Sequence, residues 1–125
     1  MTSHWIDEPA PPLLLDAIAQ FNRGEYFEQH ETLEALWRAE PREVRRLYQG
    51  ILQIGVAFHH LRRGNRAGAV RLLARGLHGI EPFAPVCQQV DVAALAADAH
   101  RALRALAADP AGFDWQLAPK VRLRA

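Results

Sequence analysis

The sequence predicts an all-α fold, a compact bundle of about five helices joined as antiparallel hairpins. Three observations carry that expectation. Apolar residues recur at spacings of three and four through successive segments of the 125-residue chain, as one buried face of each helix requires. Gly24, Pro41, Gly64, Pro82, Pro85 and Pro110 punctuate those segments. Outside the C-terminal tail, no stretch shows a strong strand-type alternation.

Residues 1–12 read as an N-terminal arm anchored by Trp5 and Ile6, residues 13–109 as the helical domain, and residues 110–125 as a tail packed on it. The first helix runs over about residues 13–22, with Leu14, Ala17, Ile18 and Phe21 as its stripe, and Gly24 supplies the left-handed residue that ends it. The second spans about residues 25–40, because Pro41 forbids continuation. The third is apolar nearly all round, from Val44 through Leu47, Ile51, Ile54, Phe58 and Leu61, which marks it as central; Gly64 closes it. Asn65 caps the fourth, whose stripe is Val70, Leu73, Leu77 and Ile80. Asp91 caps the fifth, which faces inward through Leu95, Leu103 and Leu106. In the tail, Phe113, Trp115 and Leu117 alternate as an extended segment would. A shift of 40 residues sets Phe21, Arg23 and Gly24 over Leu61, Arg63 and Gly64, a weak two-fold helix-turn-helix repeat.

Composition narrows the function classes. The net charge of +1 sets up no global field for nucleic acid or an anionic membrane, and neither the Arg42/Arg45/Arg46 nor the Arg62/Arg63/Arg66 cluster carries the interleaved aromatics that base stacking needs. Fourteen of the fifteen cationic residues are arginine, an abundance of planar bidentate donors. Cys87 is the single cysteine, so an internal disulfide and a cysteine-based zinc cage are both excluded; the expected compartment is the cytoplasm. Ser3, the one serine, sits in the arm, and serine nucleophile chemistry is not expected. The acidic, proline-rich start does not resemble a signal peptide, and no membrane span is expected.

The candidate site lies on the second and third helices. Tyr26, His30, Leu33 and Trp37 fall on one face of the second, which predicts a buried His30 with Glu34 one turn away and Glu31 further round. From the third helix Gln53, Tyr48 and His59 are expected to face it, giving a polar network of His30, Glu34, His59 and Gln53 or Tyr48 buttressed by Trp37. Three readings of that network compete. It fixes the packing of two helices; or it holds a divalent metal on His30, Glu34 and His59, with Glu31 as base in the manner of an H-E-x-x-H helix whose second histidine is replaced; or it lines a small-ligand pocket in which a histidine titrates near neutrality.

The segments FNRGEYFEQHETLEALW and LYQGILQIGVAFHHLRRGNRAGAVRLL resemble a bacterial and archaeal family, domain of unknown function 309. The resemblance covers about residues 13–80 and rests on Phe21, Asn22, Gly24, Tyr26, His30, Glu31, Glu34, Trp37, Gly50, Gln53, His59, Gly64 and Asn65. It implies a compact all-helical bundle, brings no established activity, and favours His59 over His60 as the residue facing His30.

These readings converge on a binding or scaffold module, more a binding protein than an enzyme, with a protein partner or a second copy as occupant and no cofactor. The alternative is a small-ligand or divalent-metal site between the second and third helices, open to hydrolytic chemistry.

Overall fold

The computed structural model describes residues 4–125. Five helices, α1 (Pro12–Asn22), α2 (Tyr26–Ala39), α3 (Arg45–Arg62), α4 (Arg66–Ile80) and α5 (Val92–Ala108), pack as a sequential series with α3 at the centre between α2 and α4. The fold is a compact all-helical bundle. Leu47, Ile51, Ile54 and Phe58 of α3 are all but inaccessible, and each such side chain contributes about 1.5–3 kcal/mol of burial.

The two hairpins close by the same device. Gly24 and Gly64 take φ of +79° and +83°. The amide immediately after each donates to the carbonyl five residues back, Glu25 to Gln20 at 2.9 Å and Asn65 to His60 at 2.8 Å. The glycine amides donate to Phe21 and Leu61 at 3.0 and 3.1 Å, completing a Schellman closure in both places. The side chain of Asn65 then accepts from the Gly68 amide at 3.0 Å, and that of Asp91 from the Ala94 amide at 2.9 Å, so both predicted caps form.

Helices α3 and α4 approach through small residues. A Cβ at Gly76 would lie 2.7 Å from the Gly50 carbonyl oxygen, and one at Gly50 would lie 2.6 Å from Ile80 Cγ2, so the two backbones pass in direct contact. Val70, expected in the α4 stripe, is instead exposed; Ala69, Leu73, Gly76, Leu77 and Ile80 form the inward face.

A short hairpin, β1 (Val86–Cys87) and β2 (Val90–Asp91), departs from the strand-free expectation. Its two-residue turn places Gln88 and Gln89 at φ +48° and +69°, a conformation usually filled by Asn-Gly, which is why the sequence did not signal it. Gln88 is fully buried and accepts from the Tyr48 hydroxyl at 2.5 Å. The hairpin gathers both ends of the chain: the Gln88 amide donates to the Ile6 carbonyl, and Leu123 pairs with Val90. Of the expected anchors of the arm, Trp5 stacks on Phe83 at 5.6 Å, whereas the Ile6 side chain is exposed.

The tail is not extended through Trp115, which begins a 3-10 turn (Trp115–Leu117). Phe113 and Trp115 sit against Phe58, and the Asn22 side chain exchanges two hydrogen bonds with the Val121 backbone at 2.8 and 2.9 Å. Arg66 turns its guanidinium onto the carbonyls of Leu106, Asp109 and Gly112, satisfying the open end of α5. Arg62 donates to the Gly24 carbonyl at 2.9 Å and lies over Tyr26. Two of the three arginines around the α3–α4 turn are thereby committed to internal contacts.

Candidate functional site

Helix α2 meets α3 through Tyr26, Gln29, Leu33 and Leu36, the residues it buries. Gln29 presses against Gly55, where a Cβ would stand 2.5 Å from the amide carbon of Gln29. Because a glycine opposite admits a long side chain, α2 is rotated so that Gln29 and Leu36, not His30 and Trp37, lie at the centre of its buried face. His30 therefore sits on the flank, and the expectation that it is buried is corrected: the side chains of His30 and Glu34 retain 36% and 33% of their exposure.

On that flank the two groups engage each other. His30 Nε2 stands 3.0 Å from one Glu34 carboxylate oxygen, and Arg38 Nη2 stands 2.6 Å from the other, a chain of three polar side chains running along α2 at four-residue steps. A cavity of about 280 Å³ opens beside it, walled by His30, Glu34 and Trp37 from α2 and by Gln49, Leu52 and Gln53 from α3. Neither Gln49 nor Gln53 hydrogen-bonds to a described protein group, so both amides are free to meet a ligand. Glu31 is exposed on the opposite side of the His30–Glu34 pair, where Phe27, Ala35 and Arg38 line a second hollow.

The remaining predicted residues lie elsewhere. His59 packs its ring 5.9 Å from that of Phe27, which also neighbours His30 at 6.4 Å, and so borders the site without entering either hollow. Burial, and then the charges of Arg63, His60 and Arg62, hold the His59 imidazole below the ordinary histidine value. Tyr48 points away to Gln88, and burial pushes its hydroxyl up to about 12. Among the described residues no three histidine, cysteine or carboxylate side chains gather closely enough to hold a metal ion, so His30, Glu34 and His59 do not make a ligand set. Cys87 is fully buried, its thiol raised to about 11 by burial and then by Asp7, which suits a packing residue and not a nucleophile.

Sequence reasoning missed a larger cavity that continues past Trp37. It has a volume of about 700 Å³, and Arg45, Arg46, Arg75 and His78 line it over a floor that includes Gly50 and Gly79. Arg45 lies over the Trp37 ring at 4.5 Å from its centroid. The missing signal was tertiary: Arg75 and His78 share a cavity with Arg45 only because α4 folds back along α3. No described helix is long and apolar enough to cross a membrane.

Comparison with known proteins places this geometry in a lineage. The chain is 41% identical over 69 residues to the uncharacterized protein YpuF of Bacillus subtilis (strain 168), a match covering 54% of this chain and 40% of that one. It is 27% identical over 66 residues to an uncharacterized protein of Aquifex aeolicus (strain VF5), covering 52% of this chain and 20% of the relative. The matched region thus spans less than half the length of these curated relatives. Residues 14–72, which hold most of α1, all of α2 and α3, and with them His30, Glu34 and Gln53, match the family model described as Domain of unknown function (DUF309).

Proposed function

We propose that the bundle is a cytoplasmic, non-catalytic binding module whose ligand-facing surface is the groove between α2 and α3. The observation that carries this reading is the convergence of His30, Glu34, Gln49, Gln53 and Trp37 on one concave surface. Ligand sites combine an apolar wall with a few directed polar groups, and here Trp37 and Leu52 form the wall while two amides and an imidazole supply direction. The non-catalytic part rests on chemistry. The one cysteine is a buried thiol, and the groove is lined by no hydroxyl or thiol nucleophile.

A fragment screen by NMR tests the reading, with the Trp37 indole N–H as reporter. Fragments are expected to shift that signal in the native protein and to lose the effect in Gln53→Trp, whose ring fills the groove. Tyr48→Phe, remote from the groove, is expected to leave binding unchanged. A silent Trp37 signal, or shifts that survive in Gln53→Trp, would overturn the site. Turnover of p-nitrophenyl acetate or p-nitrophenyl phosphate that disappears in His30→Ala would overturn the non-catalytic assignment.

A further inference from the structure

We infer that the larger cavity between α3 and α4 is an anion site that takes the phosphate group of a small molecule. This rests on the preceding reading only in treating the groove as a binding surface, since the two cavities share Trp37, Gln49 and Gln53.

Three independent features point to an anion. First, Arg45, Arg46 and Arg75 all line the cavity, and none of their guanidinium groups makes an ion pair or hydrogen bond with a described residue, whereas Arg23, Arg38, Arg42, Arg101, Arg122 and Arg124 each hold a carboxylate. Glu43 is the one carboxylate in the lining, so the cavity carries an excess of positive charge. Second, Arg45 and Arg46 occupy the first turn of α3, which contains no acidic residue. Cations there face the positive end of the helix dipole, an unfavourable arrangement that an anion relieves. Third, Arg45 is half-buried, and its Nε is shut off from solvent with no hydrogen-bond partner. That nitrogen has lost hydration without gaining a hydrogen bond, and the face of Trp37 holds the guanidinium in place as a preset donor.

The ligand class follows from the donors. The amides of Arg45, Arg46 and Leu47 already donate to the carbonyls of Arg42, Glu43 and Val44, so backbone binding at the helix start is closed and recognition falls to side chains. Guanidinium groups present paired N–H donors that match phosphate oxygens, and several around one cavity favour a group with more than a single negative charge. A volume of about 700 Å³ suits a small molecule, and Trp37 and Phe83 in the walls offer apolar surface for its uncharged part.

Calorimetry with inorganic pyrophosphate in phosphate-free buffer tests the inference on the full chain. Saturable binding is expected, weakened at least about tenfold by Arg46→Gln combined with Arg75→Gln, since each removes a charge-assisted contact. Both side chains are exposed and unpaired, so the double variant keeps its fold, which its thermal midpoint confirms. Arg71→Gln with Arg104→Gln removes the same charge from exposed positions outside the cavity and is expected to leave the affinity within about twofold. Citrate, a carboxylate polyanion, is expected to bind more weakly than pyrophosphate. No saturable binding, an equal loss in the Arg71/Arg104 variant, or a preference for citrate would overturn the phosphate site. Fragment shifts at Trp37 that persist in the face of that result would leave the α2–α3 reading standing, which separates the two.

Discussion

The side chain of Gln29 occupies the space that Gly55 leaves empty. Its Nε2 donates to the carbonyls of Tyr26 and Leu52 at 3.2 and 3.3 Å, while its Oε1 is buried without a partner. A methyl group at position 55 would strike the side-chain amide of Gln29, a buried group that can give way only by leaving its two carbonyl partners. Gly55→Ala is therefore expected to lower the stability measured by urea unfolding by about 1–3 kcal/mol, the usual cost of overpacking. Adding Gln29→Ala should recover part of that loss, because it removes the atoms the methyl strikes; additive losses would show that the two residues do not share one space.

Gly76 and Gly79 lie on the same helix and predict opposite outcomes. A Cβ at Gly76 meets the Gly50 carbonyl oxygen at 2.7 Å, whereas one at Gly79 comes no nearer than 3.6 Å to Gly50, an ordinary contact. Gly76→Ala should cost about 1–3 kcal/mol as the helices are forced apart. Gly79→Ala should be neutral or stabilising by up to about 1 kcal/mol through helix propensity. Equal thermal midpoints for the two variants would contradict the close α3–α4 crossing.

His59 gives the protein a predictable response to acid. Its imidazole is held below the ordinary value of 6.5, first by burial and then by Arg63, His60 and Arg62, with Glu28 acting in the opposite sense. The unfolded chain therefore binds the proton more readily than the folded one, and stability falls as pH drops from 6.5 toward the lower folded value. The contribution is complete above 6.5. His59→Gln should flatten the urea midpoint over that window while leaving the midpoint near pH 8 almost unchanged. A slope identical to that of the native protein would exclude His59 as its source.

The sequence by itself determined the five helices, their hairpin closures and the placing of the candidate residues on two neighbouring helices. Those features are local. A left-handed glycine after Arg23 or Arg63, an Asn65 or Asp91 cap, and an apolar stripe at helical spacing act on near neighbours in the chain, so residue order suffices to specify them. The pairing of His30 with Glu34 was legible for the same reason, being four residues apart on one helix.

Tertiary structure decided how that pair is presented. Tyr26 and Leu33 belong equally to a stripe with His30 and Trp37 or to one with Gln29 and Leu36, and hydropathy favours the aromatic choice. Gly55 reverses it from the neighbouring helix, because a residue without a side chain leaves no mark in the pattern of α2 yet admits Gln29 there. Tyr48 likewise turns away from the groove because its hydroxyl finds a partner 40 residues on, Gln88, which the pattern of α3 does not reveal. The arginine-lined cavity arises only when α4 returns along α3 and brings Arg75 to the hollow that Arg45 and Arg46 also line. Each of these outcomes depends on which surfaces meet at close range, and residue order constrains that meeting only through the packing of the whole bundle.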